Sequence, residues 1–479
     1  MELHIVLQGR KDLGEQLYRH LREGIESGRL AAGTRLPPSR LLAEQLKVSR
    51  KTVADTYQSL TYDGLLSGRV GSGTFVNARM AQATARQGTS DLASAAVVAL
   101  WRDMKLPLHH PGIHGGLRGD FIGGASSRAQ FPHDEWRRCT LHALRQSSRS
   151  RGLYSAPEGV ADLREGIARH VGFSRGVRCS GEDVLVTNGA QQALDLVSRV
   201  LIEPGCRVAM EDPGYPPARL LFMAQGAEVI GVPVDEEGIQ VQLIPDGTRL
   251  IYVTPSHQFP LGMAMSTARR EALLARALEL GAIIIEDDYD CEFRYEGLPT
   301  DSLQGLDQHG LVAYIGTFSK TLLPELRLGY TVLPPAIHAA VRVAKQLTDW
   351  HTSTQNQLAL AKFMAEGHLH KHIRRSREVY AVRRERIISR FESDLAPWFA
   401  VVPSSAGYHL AVTCRAPLDI DQVIAVARYA EVGLYSLAPF FFQQATTPGL
   451  IMGYGAIDLL EIDPALDRLR DVLEQLAPV

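Results

Sequence analysis

From residue 184 to residue 315 short apolar runs alternate with longer helical stretches, and no other feature restricts the chain as much. Val184 to Thr187 leads into a helical pattern from Gln191 to Leu201, and Arg207 to Met210 leads into another from Pro217 to Gln225. Glu228 to Val232, Leu250 to Thr254, Ile283 to Glu286 and Leu311 to Ile315 continue the series. Such alternation predicts an α/β fold: a mainly parallel sheet covered by helices, with ligands gathering at the carboxyl ends of the strands. At 479 residues the chain is too long for one ordinary domain, so two or three are expected.

Composition narrows the class. Hydrophobic residues make up 45% and charged residues 22%, which fits a folded globular protein and excludes a disordered one. No apolar run approaches the ~20 residues that span a bilayer, and Met1 to Arg10 lacks signal-peptide architecture, so a cytoplasmic protein without membrane contact is expected. The five cysteines, Cys139, Cys179, Cys206, Cys291 and Cys414, form no CxxC pair and read as free thiols. His109, His110 and His114 cluster in a Pro/Gly-rich stretch without acidic or thiol companions; a solvated loop is expected there, and no metal site.

The chemistry-bearing residues fall at the ends of the strand-like runs. Gly189-Ala190-Gln191 lies between a strand and a helix, where backbone amides and the helix N-terminus make a phosphate cradle. Ile283 to Ile285 is followed by Glu286, Asp287, Asp288 and Tyr289, three carboxylates and a phenol. Leu311 to Ile315 leads to Gly316-Thr317-Phe318-Ser319-Lys320, and Arg327 follows seven residues later. A lysine in this setting can hold pyridoxal phosphate as a Schiff base. A carboxylate can keep the pyridine nitrogen protonated, a phenol can tune the ring oxygen, and an arginine can bind phosphate bidentately. Each element also has a plainer reading: a surface lysine, an acidic N-cap cluster or magnesium site, a surface ion pair, and Tyr215 as a turn residue.

The N-terminus differs in charge. Residues 1–77 carry 11 Lys+Arg against 8 Asp+Glu, whereas the remainder carries 40 against 45. Leu13, Leu17, Leu21 and Ile25 predict an amphipathic helix running to Leu30, with Gly28 closing it. Ser39 is expected to cap a short helix, Lys47-Val48-Ser49 forms a turn, and a second helix runs from Arg50 to about Tyr62. Gly64 to Val76 reads as a two-stranded ribbon with Arg69, Gly71 and Gly73 at its tip. This pattern reads as a helix-turn-helix with a wing, its second helix presenting Arg50, Lys51 and Thr52 to DNA, with a protein-interaction helical domain as the alternative. Between Asn77 and about Gly119 an Ala-, Gln-, Ser-, Gly- and Pro-rich stretch, with a helical patch around Leu92 to Trp101, reads as a linker.

The wording of these segments goes beyond pattern. LPPSRLLAEQLKVSRKTVADTYQSLTYDGLLSGRVGSGTFV closely resembles the winged helix of GntR-type bacterial repressors. NGAQQALDLVSRVL, AMEDPGYPPAR, VTPSHQFPLG, IIEDDYDCEFRY and YIGTFSKTLLPELRLGY resemble the fold-type I aminotransferase domain in its regulatory version. Their combination resembles the MocR family of transcription factors. That resemblance implies a winged-helix domain over 1–77, a linker over 78–118, and an aminotransferase-like domain over 119–479. The last comprises a large α/β domain and a small C-terminal α+β domain from about 370. It also implies operator DNA as a partner, a small-molecule effector, a homodimer, and pyridoxal 5'-phosphate as cofactor.

Residue by residue, the resemblance gives Lys320 the internal aldimine, Asp287 the pyridine nitrogen, Tyr289 the ring oxygen and Tyr215 a place near the ring. Ala190, Gln191, Ser319 and Arg327 serve the phosphate. His257 and Gln258 stand where catalytic relatives usually have an asparagine. Arg40, Ser49, Arg50, Thr52, Arg69 and Gly71 lie at the DNA surface.

The departures are informative. Aminotransferases of this fold usually hold the substrate carboxylate with a late arginine, and no arginine occurs between Arg428 and Arg468. Thr447 stands where the GABA-responsive branch has its arginine, and Pro216-Pro217 replaces that branch's basic pair. A buried carboxylate without a partner is costly, so GABA and ordinary α-amino acids are disfavoured as effectors. Arg128 and Arg219 remain open as substitutes. Pyridoxal phosphate itself, or an amine without a carboxylate, is the expected effector; a working aminotransferase that also binds DNA is the alternative. The arginines of His370 to Arg390 are expected on a solvated helix with local ion pairs rather than on the DNA surface.

Overall fold

The computed structural model describes residues 12–26, 29–69, 73–77, 117–149, 151–297, 301–415, 417–442 and 447–476, with isolated positions at 7, 9, 98, 100, 101 and 104. Nearly all of the expected linker, the His109–His110–His114 cluster and Gly71 lie outside these residues. The chain divides into two compact units, Met1–Asp103 and Met104–Val479. No helix among the described residues is long and apolar enough to cross a membrane.

The first unit contains α1 (Leu13–Glu26), α2 (Ser39–Leu46), α3 (Arg50–Tyr62) and an antiparallel ribbon of β1 (Leu66–Arg69) and β2 (Gly73–Val76). The helical spacing of Leu17, Leu21 and Ile25 turns one face of α1 onto Leu42 of α2 and Val53, Tyr57 and Leu60 of α3. α1 stops at Glu26, short of the expected Leu30, because the chain folds back: Leu30 N donates to Gly24 O at 2.8 Å and its side chain packs on Gly24. Ser39 does not cap α2. It is the first helical residue, Pro38 occupies the cap position, and no side chain bonds there. Lys47 takes the left-handed conformation (φ 54°) that makes the turn into α3.

In the second unit the main sheet is built from β4 (Val184–Thr187), β5 (Arg207–Asp212), β6 (Glu228–Asp235), β7 (Gly238–Ile239), β8 (Thr248–Val253), β9 (Ile283–Asp288), β10 (Val312–Thr317) and β11 (Gly329–Val332). Their order is β4-β11-β10-β9-β8-β5-β6-β7. The strands from β6 to β10 pair in parallel, as the alternation predicts. β11 is an unforeseen addition: it runs antiparallel to both β10 and β4 and lies between them. β7 also pairs antiparallel at the far edge. Helices Ala190–Leu201 and Pro216–Ala224 cover one face with Leu194, Leu196, Val197 and Phe222, and helix Thr267–Leu280 packs Leu273 and Ala277 into a separate core with Ala209, Ile251 and Ile284.

A second, smaller sheet of order β12-β13-β16-β15 follows, from β12 (Phe399–Val401), β13 (His409–Cys414), β15 (Tyr435–Ser436) and β16 (Gly449–Gly453). It shares a core with the 25-residue helix His368–Glu392 and with helices Ile420–Tyr429 and Leu459–Leu476. The segment preceding the large domain belongs here as well. β3 (Gly119–Asp120) pairs in parallel with β14 (Val432–Gly433), and Gly453 N donates to Phe121 O at 2.9 Å.

Candidate functional site

The carboxyl ends of β4, β5, β8, β9 and β10 converge on one cleft, and β9 shows how strand geometry sorts its acids. Side chains alternate between faces, so Glu286 and Asp288 point one way and Asp287 the other. Glu286 accepts the backbone amides of Leu303 and Gln304, both at 2.8 Å, and so caps the start of the helix Leu303–Leu306. Burial pushes its carboxyl up to about 7. Asp288 accepts Arg175 Nε and Tyr314 OH, each at 2.7 Å, and despite burial these partners hold it below the usual range. Asp287 is alone in facing the cleft. Its Oδ2 accepts Tyr252 OH at 2.8 Å, its Oδ1 is buried without a partner, and burial raises it to about 6.

A second wall is closed by β11. Gly189 (φ 80°) precedes the helix Ala190–Leu201, whose first amides open on the same space. Arg327, in the left-handed region at φ 49°, lies against this turn, with Nη2 donating to Asn188 O at 2.8 Å. A Cβ on Gly189 would lie 2.7 Å from that guanidinium, and one on Gly329 would lie 2.7 Å from the Gly189 carbonyl carbon. Glycine is required at 329 because that strand meets the turn's backbone, and at 189 because φ there is 80°. Helix amides beside a guanidinium can receive an anion such as phosphate.

Lys320 follows β10 and is partly buried. Its Nζ donates to Gly124 O at 2.8 Å and stands 5.9 Å from the centre of the Tyr408 ring. Burial lowers its pKa against the opposing pull of Asp290 and Asp287. An amine that more readily sheds its proton is a better nucleophile toward a carbonyl. Ser319, two residues past β10, has its amide on Thr317 Oγ1 at 3.1 Å. Tyr215 caps the helix Pro216–Ala224, its ring 5.6 Å from that of Phe259, and burial drives its phenol upward.

His257 and Gln258 have different duties. Gln258 ties backbone together, donating to Pro213 O and Phe259 O at 2.8 Å and accepting Leu261 N at 3.0 Å. His257 Nδ1 meets both carboxylate oxygens of Asp290, at 2.9 and 3.1 Å, and lies 3.0 Å from Tyr289 OH. His409 of β13 packs its ring 4.7 Å from that of His257, and its buried Nε2 has no partner. Possible ligand atoms of His257, Asp290 and His409 fall within 4.8 Å of one another.

The arginines left open for an effector carboxylate are engaged elsewhere. Arg128 pairs with Glu325 at the surface. Arg219 donates to Phe441 O at 3.0 Å and lies over the Phe442 ring. Thr447 is exposed. Along the helix His368–Glu392, Arg386 binds Asp463, Arg390 binds Asp394 and Asp467, and Arg383 donates to the carbonyls of Tyr454 and Gly455, while Arg374, Arg375 and Arg377 are exposed. Of these pairs only Arg390–Asp394 is local in sequence; the others reach the helix Leu459–Leu476 and Arg383 is buried on backbone carbonyls, so the helix is packed into the small domain's core rather than solvated as expected.

In the first unit Ser49 caps α3, its Oγ accepting Thr52 N at 3.0 Å and touching Thr52 Oγ1 at 2.8 Å. Arg50 is exposed at the first position of α3 and Arg40 is exposed on α2, while Arg69 ends β1. An exposed helix N-terminus with arginine at its start can meet phosphate and base edges.

Sequence reasoning missed Gly124, Tyr252, Asp290, Tyr408 and His409. Asp290 was within reach, one residue beyond the acidic run that ends at Tyr289; the others come from strands and loops far away in the chain.

Comparison with known proteins agrees with this architecture. Residues 126–443 match the family "aminotransferase class I and II" and residues 13–76 match "bacterial regulatory proteins, gntR family". A probable rhizopine catabolism regulatory protein MocR of Rhizobium meliloti is 36% identical, over 95% of this chain and 92% of that protein. The pyridoxine biosynthesis transcriptional regulator PdxR of Corynebacterium glutamicum is 30% identical, over 96% and 94%. Among solved structures, a Pyrococcus horikoshii kynurenine aminotransferase in complex with PMP superposes with a TM-score of 0.74 at 26% identity, over 81% of this chain and all of that one. The chain belongs to the MocR family of transcription regulators, in which a GntR-type DNA-binding domain is joined to a pyridoxal phosphate-binding domain of the class I and II aminotransferase fold.

Proposed function

We propose that the chain binds operator DNA as a cytoplasmic homodimer and that Lys320 carries the pyridoxal phosphate through which it senses an effector. The winged helix is assigned to 1–77, the linker to 78–118 and the sensing domain to 119–479, with the small domain from about 370. The observation that carries the reading is Asp287, whose buried Oδ1 lacks a partner while its other oxygen is held by Tyr252. A protonated pyridine nitrogen is the donor such an oxygen needs. When bound, the cofactor supplies an electrophilic carbon and an electron-withdrawing ring. Around it Ala190, Gln191, Ser319 and Arg327 hold the phosphate, Tyr289 faces the ring oxygen, and Tyr215 and His257 complete the wall. Arg40, Ser49, Arg50, Thr52, Arg69 and Gly71 serve the DNA.

The engagement of Arg128 and Arg219 favours an effector without a carboxylate, or pyridoxal phosphate itself. The likeness to PdxR, a pyridoxine biosynthesis regulator, supports the second. Lys320→Ala tests the centre of the proposal. The variant should lose the visible cofactor absorbance of the wild type and the effect of added pyridoxal phosphate on operator affinity, while still binding the operator. Unchanged absorbance and an unchanged response would remove Lys320 from the site. Steady turnover of the wild type with an amino donor and a 2-oxo acid would instead mark it as an aminotransferase.

A further inference from the structure

We infer that His257, held by Asp290, is a positioning residue that fixes the phenol of Tyr289 as a hydrogen donor toward the cofactor. The inference rests on the assignment of Lys320 and Tyr289 to that cofactor. Two facts set the imidazole. Both oxygens of Asp290 lie on Nδ1, and both side chains are 1% exposed. An ionised carboxylate only accepts, so Nδ1 carries the hydrogen and cannot accept one from the phenol 3.0 Å away. The Tyr289 oxygen therefore sits against an N–H, and its own hydrogen goes to the carbonyl of His257, also at 3.0 Å. Rotation about the C–O bond can redirect that hydrogen to another acceptor.

The ring has no freedom to leave this arrangement. A Cβ on Gly407 would lie 2.1 Å from His257 Cε1, and one on Gly262 would lie 3.1 Å from Nε2. Backbone thus wedges the imidazole on two sides. Its Nε2 meets Ser404 Oγ of the small domain at 3.2 Å. Charged and titratable groups facing the phenol and Lys320 are Asp287, Asp290, His257, His409, Tyr252, Tyr408 and Arg327. Among them His257 is the one whose ring nitrogen meets the phenol oxygen, at 3.0 Å, which separates its role from a general field.

The alternative is a domain clip, in which His257 matters through Ser404 alone. Two conservative variants distinguish the roles, because an asparagine amide reaches the Nδ1 position and a glutamine amide the Nε2 position. The full-length protein is loaded with pyridoxal phosphate, and the pH midpoint between its two absorbing forms is measured for wild type, Tyr289→Phe, His257→Asn, His257→Gln and the double variant Tyr289→Phe/His257→Gln. Positioning predicts that H257Q shifts the midpoint by about one unit in the same direction as Y289F, a tenfold change in the equilibrium. H257N stays close to wild type, and the double variant shifts no further than Y289F alone. Midpoints unchanged in H257Q, or a shift that adds fully to that of Y289F, would overturn the inference. A visible band that persists in K320A would remove the cofactor assignment beneath it, and the inference would fall with that assignment; this outcome is read in a different variant and is not confused with the first two.

Discussion

Asp287 and Glu211 are both buried acids with one satisfied oxygen and one bare one, yet they have different consequences. Glu211 Oε2 accepts the amide and hydroxyl of Thr254, at 3.1 and 2.6 Å, and Oε1 has no partner. Burial pushes its carboxyl from 4.5 up to about 7. The folded chain therefore binds more protons than the unfolded chain in that window, so this contribution is fully present below about pH 4.5 and is lost as pH rises through about 7. Glu211→Gln should flatten the decline, removing on the order of 3 kcal/mol of pH dependence. Thermal melts of the cofactor-free protein from pH 5 to pH 8 check the sign: a wild-type melting temperature that rises over that range, with E211Q unchanged, would contradict it. At this scale the candidates Lys320, Asp287, Tyr289 and Arg327 could be named because reactive residue types stood at fixed distances from strand-like runs. Gly124, Tyr408 and His409 could not, since only tertiary folding brings the small domain's residues to the large domain's edge.

Among elements, β11 is one that period and composition did not reveal. It has only four residues, Gly329–Val332, and opens two residues past a left-handed arginine. β4 is as short and as buried, but it leads directly into a helix, whereas β11 follows a loop and runs antiparallel to both neighbours, outside the strand-and-helix alternation by which the others are recognised. Its antiparallel insertion between β4 and β10 nevertheless places Arg327 and Gly329 against the turn at Gly189. Gly329→Ala would force its methyl into backbone, so the strand or the turn must shift. The expected cost is about 1–3 kcal/mol of stability. A larger loss of cofactor affinity should accompany it than for an alanine elsewhere in the sheet, and titration with pyridoxal phosphate beside thermal melts measures the two together. The parallel strands β5, β6, β8, β9 and β10 were legible because they are longer and mostly apolar, with the helices Pro216–Ala224 and Thr267–Leu280 following β5 and β8.

For the whole molecule the two-unit organisation was readable from charge and motif, because a small basic module and a long α/β alternation have little in common. Its internal details were less so: the end of α1 is set by Leu30 folding onto Gly24, a contact that helical spacing cannot anticipate. Arg50 is exposed at the start of α3, where Ser49 has already satisfied a helix-end amide. Arg50→Ala should weaken operator binding with cofactor absorbance intact and lower the slope of log affinity against log salt by about one if the contact is to phosphate. Equal affinity and slope in wild type and variant would take Arg50 off the DNA surface.

The hydrogen bond from Lys320 to Gly124 gives the molecule a short lever. Gly124 lies four residues beyond β3, the strand through which the chain, coming from its DNA-binding unit, is stitched to β14 and the small domain. The amine that reacts with a carbonyl is thus moored to the inbound strand of the polypeptide itself. Whatever takes that amine away from Gly124 releases this bond beside β3.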